Sequence, residues 1–192
     1  MHQYKQNNNL DYLLGFHCTP TLAGIKCANL LSLCRKRYSD IEGALEHLNK
    51  HFNPKGIYIK RLCICQTRAL IFVYQKAMLE ETIYQQEHLL MLQQEGYPLD
   101  EGLSAVIEHL AMRLQIGSDF PHEIGIFLGY PLVDVIGFRE NHGKNYKISG
   151  YWKVYGDEDH AKKLFESYTR CRDNVCRRID QGMSLDQIFK TA

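Results

Sequence analysis

The sequence has no apolar run of the ~18 residues that a membrane-spanning helix needs. Its opening residues, MHQYKQNNNLDYLL, contain no apolar leader-like core either. Neither sign of charge dominates: 23 Lys and Arg face 22 Asp and Glu, for a net charge of +1. That balance argues against a chain-wide electrostatic footprint for nucleic acid or for an acidic membrane surface. No phosphate-cradling loop is present, since Gly125, Gly129 and Gly137 fit neither the dinucleotide fingerprint nor the P-loop. The paired Cys/His clusters of a structural zinc site are missing as well. No internal repeat or low-complexity linker divides the chain.

What is there is ordinary globular material. The 192 residues are 45% hydrophobic and 23% charged, enough to bury a sizeable core. A polar, disordered tail over 1–9 is expected to precede one domain over 10–192. Seven cysteines are many for this length, and the number is odd. Without a secretion signal the expected compartment is the cytoplasm, where they remain thiols rather than a disulfide frame.

Local signals set the order of elements. Leu10, Leu13, Leu14 and Phe16 form a short amphipathic turn or helix. Thr19 reads as an N-cap and Pro20 as the first helical position of a buried helix over 20–35, interrupted at Lys26, Asn29 and Ser32. Ser39 with Glu42 makes a capping-box pattern for the next helix, closed at Asn53-Pro54-Lys55-Gly56. Residues 57–65 and 68–74 read as a hairpin, and 78–95 as one helix ended by Gly96. Leu103, Val106, Leu110 and Leu114 define another helix, stopped by Gly117. Asp157 caps a long helix ended by Gly182, and Ser184 caps a short last one. The order α-α-β-β-α-α-α-α-β-α-α implies an α+β fold: a small, mostly antiparallel sheet of about three strands covered by helices.

Residues 119–156 hold the only Trp and much of the Gly. Ser118 or Asp119 reads as the cap of a helix that admits Pro121 in its first turn, with His122 and Glu123 beside it. Gly129-Tyr130-Pro131 breaks that helix and Pro131 opens another. Residues 146–155 alternate as one strand, with Tyr146, Ile148, Gly150, Trp152 and Val154 toward the core. The segments FPHEIGIFLGYPLVDVIGF and GYWKVYGD, with HCTPTLAGIK and RALIFVY earlier in the chain, resemble a bacterial family known as domain of unknown function 3793. Arg139 stands where that pattern leads one to expect an apolar residue. The resemblance implies no reaction, cofactor or catalytic residue.

The chemistry must therefore come from the residues. Cys18, placed just before a helix N-terminus, would have its thiolate stabilised by the helix dipole. His122 as base and Glu123 as orienter would complete a thiol-dependent hydrolase or transferase. The plainer reading makes Cys18 a small buried residue in a tight turn. Cys63 and Cys65, two apart on a strand, share a face and could begin a metal or redox site, though core filling is the default for both. The third reading is a binding or accessory module for a small ligand or a partner protein. Its site would join His17, Thr19 and Lys26 to Tyr130, Asp134, Lys153 and Tyr155, against a rival reading in which these residues only finish the core. The cofactor, the ligand's identity and the oligomeric state stay open at this point.

Overall fold

Helix α1 (Leu10–Leu22) takes in His17, Cys18, Thr19 and Pro20 instead of starting at them. The computed structural model describes residues 10–38, 40–116 and 120–190; the expected disordered tail over 1–9 lies outside these. Thr19 is therefore no N-cap: its hydroxyl donates back to the Gly15 carbonyl within the helix. Gly24, at φ 73°, ends α1. The Ile25 N–H donates to the Pro20 carbonyl at 2.9 Å and the Gly24 N–H to that of Thr21 at 3.1 Å, the paired closure that a left-handed glycine permits.

The expected helix over 20–35 is instead the end of α1, a loop and strand β1 (Ala28–Cys34). The run is apolar all round because β1 is covered on both faces. Leu31 and Leu33 enter one core cluster, while Ala28 and the half-buried Leu30 enter another. Periodicity alone cannot separate such a strand from a buried helix.

Helix α2 (Ile41–Phe52) is capped by Asp40, whose carboxylate accepts from the Gly43 N–H at 2.9 Å. The expected cap, Ser39, lies outside the described residues. A 3-10 turn at Asn53–Lys55 and Gly56 at φ 75° end it as anticipated. Strands β2 (Ile57–Ile64) and β3 (Arg68–Gln75) form the expected hairpin. The sheet order is β1-β3-β2, antiparallel throughout, with Leu31 opposite Ile71 and Ile59 opposite Val73.

The expected helix over 78–95 is two, α3 (Lys76–Ile83) and α4 (Gln86–Gln94). At the break the His88 ring takes the Thr82 carbonyl at 2.6 Å, which satisfies a helix-end acceptor with a side chain. Helix α5 (Leu103–Ile116) follows; its expected stop Gly117, and the caps Ser118 and Asp119, lie outside the described residues. Helix α6 (Ile124–Phe127) is a single turn that begins after Pro121, His122 and Glu123 instead of containing them. Helix α7 (Leu132–Glu140) is opened by Pro131 as the sequence predicts.

The expected strand over 146–155 folds back on itself. Strands β4 (Ile148–Ser149) and β5 (Lys153–Val154) pair with Ile148 opposite Val154, and the Gly150 N–H donates to the Trp152 carbonyl at 3.0 Å. Helix α8 (Glu158–Asp180) is capped by Asp157, and α9 (Leu185–Ile188) by a Ser184–Gln187 capping box.

The three-stranded sheet divides the core. Leu31, Leu33, Ile59, Ile71 and Val73 pack with α1, α2, α9 and the end of α8 on one face. Phe72, Leu62 and Ala28 pack with α3 to α7 on the other. A third cluster joins Trp152 and Val154 to Ala161 and Tyr168 of α8. The α+β class holds, with the hairpin β4–β5 standing apart from the main sheet. Among the described residues, no helix is long and apolar enough to cross a membrane.

Candidate functional site

Most of the residues singled out in the sequence gather in two places, one closed and one open, while His17, Cys18 and Thr19 stay on α1, outside both. The closed one lies where the α1–β1 connection meets α6, α7 and the β4–β5 hairpin. Lys26 is 4% exposed. Its ammonium donates to the Ala28 carbonyl at 2.7 Å and lies 5.2 Å from the centre of the Tyr130 ring. Burial pulls its pKa down to about 8, against the opposing influence of the Cys27 and Cys18 thiols. The Cys27 thiol donates to the Phe127 carbonyl at 3.6 Å. Gly129 is in contact with Cys27; a Cβ there would lie 2.7 Å from the sulfur.

Tyr130 stacks on Trp152 at 4.9 Å between ring centres. Asp134, buried in the first turn of α7, then ties the hairpin down. It accepts from Trp152 Nε1 at 2.7 Å, from the Tyr155 N–H at 2.7 Å and from the Gly156 N–H at 2.8 Å. Both carboxylate oxygens are thus occupied by the protein itself. Tyr155 donates its hydroxyl to the Lys144 carbonyl, and Lys153 its ammonium to the Gly143 carbonyl at 2.7 Å. Lys26, Tyr130, Asp134, Lys153 and Tyr155 do cluster, but as a network whose partners are internal.

Cys18 sits on the buried side of α1, fully enclosed in the cluster that covers the other face of the sheet. Its expected place ahead of a helix N-terminus is corrected, and with it the source of thiolate stabilisation. Burial instead pushes its pKa up to about 12, which holds the thiol protonated. His17 is on the exposed side of the same helix. His122 is exposed and its ring packs at 5.6 Å from Phe138, on the α7 side of the sheet. No contact joins it to Cys18 among the described residues. A bulge between Arg61 and Cys63 interrupts β2; beyond it Cys63 pairs with Leu70, while Cys65 lies past the strand's end with its N–H on the Arg68 carbonyl at 2.8 Å. Among the described residues no group of three or more His, Cys, Asp or Glu side chains could hold a metal ion.

The open place is a cleft of about 300 Å³ between α4, α5 and α7, lined by Met91, Glu95, Arg113, Phe120, Pro121, His122, Glu123, Val135 and Arg139. Its floor is charged. Glu123, only 4% exposed, receives Arg113 Nε at 2.6 Å and the Tyr97 hydroxyl at 3.0 Å. Arg113 also reaches Glu95, with Nη2 at 2.7 Å from the carboxylate and Nη1 at 3.1 Å from the backbone carbonyl. Burial and the Glu123 charge push the Tyr97 hydroxyl far up, so it stays a donor. One guanidinium between two carboxylates leaves this wall net negative. His122 and Arg139 line the same cleft, and Arg139 has no ion pair among the described residues.

Two of the residues predicted for the site, His122 and Glu123, fall in this cleft, while Glu95, Tyr97, Arg113 and Arg139 were not singled out. Arg113 left a trace in the sequence, as the one charge in the apolar run LAMRLQI. Arg139 left another, as the departure from the family pattern. Neither trace says that the two meet.

The chain matches no curated protein and no solved structure. The model of a family described as a protein of unknown function (DUF3793) matches residues 14–189, which takes in the whole sheet, the cleft and the Asp134 network. The chain belongs to the DUF3793 family.

Proposed function

We propose that this is a cytoplasmic bacterial protein that acts as a binding module, and that its ligand is a small zwitterion of the amino-acid type held in the α4–α5–α7 cleft. The observation that carries the reading is that charges of both signs line one cleft. The Glu95–Arg113–Glu123 group has a net negative charge, and the same cleft offers His122 and an Arg139 that has no ion pair among the described residues. A ligand with an ammonium and a carboxylate a few ångströms apart satisfies both at once. A guanidinium suits the carboxylate because its planar fork can bind bidentately. The volume of about 300 Å³ is at the small end of ligand sites, as an amino acid requires. Met91, Phe120 and Val135 supply apolar lining for a side chain.

The test is calorimetric titration with each of the twenty amino acids, followed by single-charge analogues of the best one. Saturable binding is expected for at least one amino acid. Its amide and its N-acetyl derivative should each bind at least about tenfold more weakly, since each leaves one charge of the cleft unmatched. Arg139→Ala should weaken the amino acid but leave the affinity for its amide unchanged. Equal binding of all three forms, or no binding by any amino acid, defeats the proposal.

A further inference from the structure

The helices that line the cleft belong to stretches of opposite charge in the sequence, and each side has exposed apolar side chains. On the α4 side, residues 76–101 contain Glu80, Glu81, Glu87, Glu95, Asp100 and Glu101 against a single base, Lys76. Glu87 lies four residues before Met91 and eight before Glu95, so it extends the ridge that lines the cleft. Its side chain is 65% exposed, and beside it Leu90 is 65% exposed. On the α7 side, residues 138–153 contain Arg139, Lys144, Lys147 and Lys153 against one acid, Glu140; of these bases Arg139 and Lys144 are exposed with no side-chain hydrogen bond or ion pair among the described residues, and they carry the contact. Here Phe120 is 51% and Phe138 36% exposed. The Lys153 ammonium lies 5.6 Å from the Phe138 ring and 5.1 Å from that of Tyr146. Exposed large apolar side chains set in charged borders are what a protein contact surface presents.

We infer that the cleft mouth is a self-association surface, on which two copies of this chain meet about a two-fold axis. The placement of the charges selects this occupant. A two-fold contact brings each patch of one copy against a different patch of the other, and does so twice. An acidic and a basic patch on either side of one cleft meet that condition: the α4 ridge of each copy lies on the α7 side of its partner. Leu90 then covers Phe120 or Phe138 of the second copy, and the axis passes over the cleft. Nucleic acid is a poorer occupant, since the Lys147 and Lys153 ammoniums already donate to backbone carbonyls and Lys153 lies over the rings that bases would stack on. In this contact Arg139 of each copy faces Glu87 of the other, so dimer and ligand compete for Arg139, and the mass measurements are made without ligand.

The experiment measures mass by light scattering and sedimentation at low ionic strength, on the full chain and on Glu87→Lys and Arg139→Glu. In a two-fold contact each single reversal places like charges together twice, so either variant alone is expected to be monomeric. Mixed in equal amounts, the two restore an attractive pair at both positions, because Glu87 of one meets Arg139 of the other and Lys meets Glu at the second pair. The mixture is therefore expected to dimerise as the wild type does, and salt should weaken both dimers. Leu90→Ser, a change at an exposed position, should weaken the dimer without any change of charge. A wild-type chain that stays monomeric overturns the inference. So do variants that dimerise unchanged, a mixture that stays monomeric, or an open-ended assembly in place of a dimer.

Discussion

Lys26 offers the sharpest quantitative test, because a buried ammonium with no carboxylate partner should cost stability near neutral pH. It is 4% exposed, and among the described residues it has one hydrogen bond, to the Ala28 carbonyl at 2.7 Å, and the face of Tyr130. Its pKa falls from 10.5 to about 8, chiefly through burial. A drop of that size corresponds to roughly 3 kcal/mol of folding free energy. The folded pKa lies below the unfolded one, so between pH 8 and 10.5 the unfolded chain holds more protons. Stability attributable to this residue therefore rises with pH across that window, and the full penalty applies below pH 8. Lys26→Met keeps the length of the side chain and removes the charge. It also leaves the Ala28 carbonyl without its donor, a loss of about 1–2 kcal/mol. At pH 7 the variant should thus be more stable than wild type by about 1–2 kcal/mol, and near pH 10.5 less stable by a similar amount. Cys18, with its pKa pushed up to about 12 by burial against the opposing pull of Lys26, lowers the stability of both proteins above pH 9 and somewhat more in the variant, which adds to the variant's deficit at high pH. Urea unfolding of the two proteins at intervals from pH 7 to 10.5, under reducing conditions, reads it directly. A difference that stays constant with pH, or a variant much weaker than wild type at pH 7, refutes the reasoning.

Two further outcomes follow from the same geometry. Asp134→Ala removes the acceptor for Trp152 Nε1 and for the Tyr155 and Gly156 N–H groups, and should cost about 3–5 kcal/mol in denaturant unfolding; the fluorescence of the one Trp should shift to the red as its stack on Tyr130 loosens, and an unchanged midpoint would show that the network does not hold the hairpin. In timed alkylation read by mass spectrometry, Cys65 should label first, being exposed and held at a lowered pKa by hydrogen bonds at Thr67 and Arg68, while Cys18 should label last, only as the fold opens; early labelling of Cys18 would revive the thiol-enzyme reading.

How much of this was legible in the sequence depends on the range of the interactions. Asp157, Ser184, Gly56, Gly96 and Gly182 each act within a few residues, and each ends or begins a helix where the sequence places it. Gly24 carried the same kind of signal, but the apolar run that follows it outweighed it. Strand β1 exists because β3 is beside it and helices cover both its faces, and no local pattern encodes either fact. The alternation over 146–155 holds for the buried Trp152 and Val154 and the half-buried Ile148, but Tyr146, expected in the core, is 42% exposed, and at Gly150 the chain turns back, with the Phe165 ring close enough that a Cβ would lie 2.4 Å from it. The site divides in the same way. The excess of polar residues in FPHEIGIFLGYP was visible in the sequence. That Glu123 meets an arginine of α5, and that Asp134 is used up by a hairpin eighteen or more residues later, was not.

The long family motif therefore answers two demands at once, and they separate along the chain. Its inward side chains build a joint. Tyr130, Asp134 and Trp152 lock α7 to the hairpin, and Gly137 lets Tyr155 approach so closely that a Cβ would lie 2.5 Å from its ring. Such a joint tolerates little change, because each member has a fixed internal partner. Its outward side chains, His122 and Arg139, line a cleft together with residues of α4 and α5. Neither side chain belongs to the Tyr130–Asp134–Trp152 joint. On the proposed function, Arg139, standing where the resemblance leads one to expect an apolar residue, is the position at which this chain would set its own preference. An apolar residue there would leave the Glu95–Arg113–Glu123 wall as the main charged surface of the cleft, and would favour a cation over a zwitterion.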